Sequence, residues 1–223
     1  MILFLIAAVP VFYLAMDSLI SDLHGRIDDS YKPFAYGFIC FVAALVIYNI
    51  IRLMFLTPVY TPSGIYIYYL LHDSLIPFAL AVTGYLLVFG FTDFETGHHA
   101  VNRMFAFMCG FYCFWSINDL IINFGWYNNH LLLIIPIQRI GLIAAFSLLF
   151  SEALKRRGAS RVLLYVLTGL LPFITAAGSM LWRLSYTIPM IGVTAGLPVL
   201  SGIFLYRKLR PVSEKPKVSL TSE

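Results

Sequence analysis

Residues 112–139 read YCFWSINDLIINFGWYNNHLLLIIPIQR, an apolar helix with a polar stripe, a turn, and a second apolar helix that contains Arg139. The stripe has the spacing i, i+4, i+7 and i+11, which puts its members on one helix face: Tyr112, Ser116, Asp119 and Asn123. Charged side chains inside apolar helices are costly in a bilayer unless they face one another or a watery cavity. The stretch therefore predicts membrane helices with a polar site between them.

The composition of the whole chain agrees with a membrane protein. Of its 223 residues, 60% are hydrophobic and 12% are charged, and the mean hydropathy is +0.85. Soluble domains average about 25% charged residues, so the composition excludes an ordinary water-soluble domain. The three cysteines, Cys40, Cys109 and Cys113, lie in apolar segments. A thiol there behaves as a small hydrophobic group, so neither a disulfide framework nor a metal site is predicted.

Seven stretches are long and apolar enough to cross a bilayer, which takes about 20 residues. They are residues 2–22, 34–56, 65–91, 102–124, 131–153, 161–182 and 186–206. The first has no basic segment before it and no clear cleavage site, so we expect it to be a retained helix rather than a removed signal peptide. The predicted fold is all-α, a polytopic membrane protein with seven transmembrane helices in residues 1–209.

Basic residues predict the orientation of these helices. Twelve of the fifteen lysines and arginines fall on one side of the predicted membrane, in the first, third and fifth loops and the C-terminal tail. Because cytoplasmic loops are enriched in lysine and arginine, the N-terminus is predicted outside and the C-terminus in the cytoplasm. This bias also accounts for the net charge of +4 without a nucleic-acid partner. Residues 210–223 are predicted to form a mobile cytoplasmic tail, and the membrane is expected to be a bacterial-type inner or plasma membrane.

Charged residues of consecutive helices fall at similar depths. At 1.5 Å per residue, Asp73, Asp119 and Arg139 lie about 12, 9 and 13 Å below the outer interface. We therefore predict one polar cavity in the outer half of the bundle. Its predicted ligand-binding residues are Asn49, Arg52, His72, Asp73, Trp115, Asp119, Gln138 and Arg139. Two carboxylates against two arginines and a histidine leave the cavity neutral or slightly positive, which favours a small polar or anionic ligand over a metal, and no cofactor is predicted.

Purely structural interpretations of these residues stay open. Arg139 and either Asp119 or Asp73 are equally explained as an ion pair that only fixes helix packing, since a buried pair is weak evidence for function. His72 and Asp73 have the chemistry of a proton relay. Adjacent side chains point about 100° apart on an α-helix, however, which favours His72 as a packed histidine.

Three functional hypotheses follow, and the chain carries none of the common catalytic signatures. The first is a non-enzymatic protein that handles a small solute or ion through the cavity, by transport or by sensing as a receptor. The second is an accessory subunit of a membrane complex, with Gly192 and Gly196 as a small-residue contact for a partner helix. The third is a lipid-modifying enzyme with Asp73 and Asp119 as acid and base. The sequence assigns no role to His98 and His99, which lack the spacing of metal ligands.

Overall fold

The structure is a computed structural model that describes residues 2–24, 31–55, 61–90, 98–123 and 131–209. These residues form seven helices, while the crossing of the membrane by all seven stays a prediction and the predicted tail at 210–223 lies outside the described residues. The helices are α1 (Ile2–His24), α2 (Tyr31–Phe55), α3 (Pro62–Phe89), α4 (His98–Asn123), α5 (Leu131–Lys155), α6 (Ala159–Arg183) and α7 (Thr187–Leu209). His98 and His99 begin α4, and their side chains are outside the described part of the chain.

Five of the helices, α2, α3, α5, α6 and α7, are long and apolar enough to cross a membrane. In the described residues of α1 the apolar segment is shorter, Ile6–Ser18. Large apolar side chains cover much of the outer surface, with Leu53, Leu87 and Ile188 each at least 80% exposed. Soluble proteins rarely expose apolar patches of this extent, whereas lipid covers them without cost. The helices therefore fit a multi-pass membrane protein.

Helix α4 lies at the centre of the bundle. It packs against α1, α2 and α5, while α5 also packs against α6 and α7. Every residue from Met104 to Tyr112 is buried. Neighbouring helices surround this part of α4, and the two stripe residues whose side chains are described, Tyr112 and Ser116, are buried there.

Two glycines allow α2 and α4 to approach each other closely. A Cβ built on Gly37 would overlap the carbonyl oxygen of Phe107, and a Cβ built on Gly110 would overlap the carbonyl oxygen of Phe34. One turn further along each helix, aromatic rings of α2 and α4 pack against each other, with the ring centroids of Phe41 and Trp115 6.0 Å apart. The glycines thereby bring the backbones together and fix how α2 meets α4.

Short connections fix the direction of the last three helices. Residues 156–158 join α5 to α6, and residues 184–186 join α6 to α7. Ser185, just after α6, has φ of 65°, the left-handed region that suits a tight turn at a helix end. Gly158, the residue before α6, also has φ of 65°, which glycine adopts without strain. Helices joined by so few residues must run antiparallel. This arrangement brings side chains from the first turns of α5 and α7 to the same level as the last turns of α6.

Candidate functional site

The candidate site begins at a π-helical segment in α3, Leu70–Leu75. The N–H of Ile76 there donates to the carbonyl of Leu71, five residues earlier. In an α-helix Pro77 would offer no N–H to the carbonyl of Asp73, and its ring would clash with that carbonyl. The wider turn relieves this clash and carries three buried polar residues, His72, Asp73 and Ser74. π-helical turns inside α-helices occur often at functional sites.

His72 and Asp73 contact each other directly. Nδ1 of His72 lies 2.6 Å from Oδ1 of Asp73, and the two residues are 1% and 9% exposed. Adjacent side chains on an α-helix point about 100° apart, whereas these two side chains meet on a π-helical turn. His72 is also packed, as the sequence favoured. Either the imidazole donates to the carboxylate or a carboxylic acid donates to the imidazole. The pair is therefore chemically able to pass a proton.

Aromatic rings enclose the imidazole of His72. The ring of Tyr68 stacks on it with centroids 5.0 Å apart, and the edge of Tyr48 from α2 meets it at 5.6 Å. Tyr48 in turn packs edge to face against Trp115 of α4, at 4.8 Å. Nε1 of Trp115 is buried, and no hydrogen-bond acceptor for it is found in the described part of the chain. Three helices thus hold the histidine in one orientation.

Arg139 connects α5 to the polar stripe of α4. The residue is 4% exposed, and its Nη1 donates to Oγ of Ser116 at 2.8 Å. Ser116 donates to the carbonyl of Tyr112 at 2.9 Å, four residues earlier in the same helix. The side chains of Asp119 and Asn123 lie outside the described residues. The pairing of Asp119 with Arg139, and the distance from Asp73 to Asp119 that the enzyme hypothesis needs, accordingly stay predictions.

A layer of hydroxyl and amide groups extends the cluster into α6 and α7. Oε1 of Gln138 accepts a hydrogen bond from Ser179 at 3.1 Å, and its Nε2 donates to Thr194 at 3.4 Å. Thr175 donates to Oγ of Ser74 at 3.0 Å. All five residues are buried. Each hydroxyl or amide group therefore gains a partner on a neighbouring helix, as polar groups inside a membrane require.

The carboxylate residue Asp73, Arg139 and the layer of hydroxyl and amide groups border one small cavity. It is lined by Asp73, Ser74, Ile135, Gln138, Arg139, Leu142 and Thr175. Its volume of about 10 Å³ is close to the minimum that holds one water molecule. Pockets for organic ligands measure about 300–1,000 Å³, so this cavity is of the size of a water molecule or a single small ion. A carboxylate and a guanidinium face this space from different helices.

Other predicted residues lie farther from this cavity. Asn49 and Arg52 are half-buried on α2, and neither has a hydrogen bond to the described residues of the cluster. The α2 residue that meets His72 is Tyr48, which shares a helix face with Arg52. A Cβ built on Gly192 or Gly196 has nothing described within 4 Å. The predicted partner contact through these glycines stays a prediction.

Sequence reasoning identified Ser116 but missed Tyr48 and the other hydroxyl residues of the cluster, which are Ser74, Thr175, Ser179 and Thr194. A signal for the hydroxyl groups was present, since Thr168, Thr175 and Ser179 lie at i, i+7 and i+11. Three members of the α4 stripe have the same spacing. Such residues are hard to identify from the sequence, because the hydroxyl of a serine or threonine inside a membrane helix can donate its hydrogen bond to a backbone carbonyl of the same helix. Thr168 donates to the carbonyl of Leu164 in this way.

Among the described residues, no group of three or more His, Cys, Asp or Glu side chains is arranged to hold a metal ion. Comparison of the chain with protein-family models, with curated proteins and with solved structures found no match.

Proposed function

We propose that the chain crosses the membrane seven times, with its N-terminus outside and its C-terminus in the cytoplasm, and handles a small solute or ion by transport or sensing. The particle that the geometry favours is the proton. The membrane assignment is supported by five apolar helices of spanning length. The orientation is supported by the excess of lysine and arginine in the loops and tail on one side of the predicted membrane.

The observation that carries the proposal is the buried His72–Asp73 pair beside a cavity of one water molecule. Histidine and aspartate inside membrane helices are the usual components of proton relays. A water in the cavity would lie against both the carboxylate of Asp73 and the hydroxyl of Thr175. Protons pass along such a chain without any group leaving its place, so no wide channel is needed.

Arg139 supplies the compensating charge. A buried carboxylate without a nearby cation is strongly unfavourable in a membrane, whereas one that shares a cavity with a guanidinium is tolerated. Nη1 of Arg139 is held by Ser116, so the charge has a fixed position. We infer that a proton arriving at Asp73 changes the balance of charge in this cavity. A transporter or a sensor requires such a change.

The test is proton flux through the full chain reconstituted in lipid vesicles with a pH-sensitive dye inside, driven by the membrane potential that a potassium gradient sets up in the presence of a potassium ionophore. We expect Asp73→Asn to reduce the flux by about tenfold or more, because an amide has no protonation equilibrium near neutral pH and cannot replace the carboxylate as proton acceptor. The control is Asp17→Asn, which removes a half-buried carboxylate of α1 outside the cluster. This control is expected to keep the flux of the unaltered protein.

The alternatives give different results. Asp73→Asn and Arg139→Gln could each unfold the protein while the double variant folds and conducts protons. In that case Asp73 and Arg139 form a purely structural ion pair, and the proposal is wrong. If the unaltered protein shows no flux and purifies with a second membrane protein, the accessory-subunit hypothesis is favoured instead. Flux that is equal in Asp73→Asn and Asp17→Asn would remove Asp73 from the proton path.

A further inference from the structure

A second, larger cavity lies at the other end of α5, between α5, α6 and α7. Its volume is about 630 Å³ and it opens to the surface of the bundle. Apolar side chains form most of its wall: Ala145, Leu148, Leu149, Leu164, Leu171, Leu197 and Phe204. Glu152, Arg156 and Arg207 line the same cleft near the ends of α5 and α7.

The length of the cleft matches one leaflet of a bilayer. Its wall on α7 runs from Leu197 to Arg207, ten residues or about 15 Å at 1.5 Å per residue. On α5 it runs from Ala145 to Glu152, and Arg156 follows just beyond the end of that helix. The hydrocarbon core of a bilayer is about 30 Å thick, so half of it is about 15 Å. An acyl chain that begins at the arginines would end at the bilayer midplane.

The charges of the cleft lie where a lipid head group would be. Nε of Arg156 donates to Oε1 of Glu152 at 3.1 Å, and the two side chains are 60% and 31% exposed. Arg207 adds a second guanidinium, so these three residues carry a net charge of about +1 at neutral pH. Arginine binds phosphate through two parallel N–H groups. Basic pockets between membrane helices on the cytoplasmic side bind anionic head groups.

We propose that this cleft binds one anionic phospholipid, with its phosphate at Arg156 and Arg207 and an acyl chain along the leucines of α5, α6 and α7. The lipid completes the packing between α6 and α7 on the side predicted to face the cytoplasm. The site is separate from the polar cluster around Asp73 and does not depend on proton handling there.

The test is a thermal-shift titration of the purified full chain in detergent with phosphatidylglycerol, and with phosphatidylcholine as the zwitterionic reference. A ligand that binds only the folded protein raises its melting temperature as its concentration increases. Each arginine near a head group contributes about a fivefold increase in affinity. We expect Arg207→Gln to weaken phosphatidylglycerol binding about fivefold and the Arg156→Gln/Arg207→Gln double variant about thirtyfold.

The matched control is Arg157→Gln, which removes the same charge from an exposed residue beside the cleft that is not in its wall. It is expected to change phosphatidylglycerol affinity less than twofold. Equal affinity for both lipids, or equal losses in Arg157→Gln and Arg207→Gln, would overturn the proposal. Glycerophosphate has the head-group charge without acyl chains. If it competes as well as the lipid does, the apolar wall contributes nothing to the binding affinity, which would also overturn the proposal. A dimer that phosphatidylglycerol does not dissociate would make a second copy of the chain the occupant and would also overturn it.

Discussion

Replacing Gly110 with alanine tests the close contact between α2 and α4. The new Cβ would overlap the carbonyl oxygen of Phe34 and lie 2.9 Å from its carbonyl carbon, whereas ordinary contact begins at 3.4 Å. Backbone lies on both sides of the contact, so no flexible side chain is available to move away. The helices must separate by at least about 0.5 Å, and by more to clear the oxygen.

The cost follows from the packing that such a movement disrupts. A gap of about 0.5–1 Å forfeits a quarter to a half of the dispersion energy between the surfaces that it separates. The surfaces here include the aromatic contact of Phe41 with Phe111, at 6.1 Å between centroids. Overpacking a tight site costs about 1–3 kcal/mol. Because backbone opposes backbone, we expect a loss near the upper end, about 3 kcal/mol of unfolding free energy.

The matched control is Gly192→Ala in α7, where a Cβ meets nothing within 4 Å in the described residues. Alanine is favoured over glycine inside a helix by about 1 kcal/mol, so this change should be neutral or stabilising. At about 2–4 °C per kcal/mol, the melting temperatures of the two variants in detergent should differ by about 6–16 °C. Equal melting temperatures would show that α2 and α4 do not meet at Gly110.

Two further predictions concern the polar cluster. Ser116→Ala should lower the unfolding free energy by about 1.5 kcal/mol more than Ser147→Ala. Both serines are buried and donate a hydrogen bond to their own helix, but only Ser116 accepts one from Arg139. Equal losses, measured by denaturation in detergent, would contradict the Arg139–Ser116 hydrogen bond. Gly178→Ala places a Cβ against Nε2 of Gln138, so it should displace that amide. In a double-mutant cycle, Gly178→Ala and Gln138→Ala should then couple by about 1 kcal/mol, and additive effects would refute the contact.

The positions of the helices could be predicted from the sequence alone. A bilayer demands about 20 consecutive apolar residues, and this requirement acts on each segment separately. The third helix was predicted at 65–91 and is found at Pro62–Phe89. The same local reasoning singled out His72, Asp73, Gln138 and Arg139 as polar groups inside apolar helices, and all four are buried.

Which groups meet could be decided only by the tertiary structure. A helix in lipid has no strong preference for its rotation about its own axis until packing against its neighbours sets it. Close packing at the glycines of α2 and α4 fixes that rotation here, and Tyr48 of α2 contacts His72, whereas the sequence predicted Asn49 and Arg52 as the cavity residues of this helix. The π-helical segment before Pro77 holds His72 and Asp73 in contact. Helix rotation depends on contacts between residues far apart in the chain, and neither the rotation nor the helix type is visible in the hydropathy of a single segment.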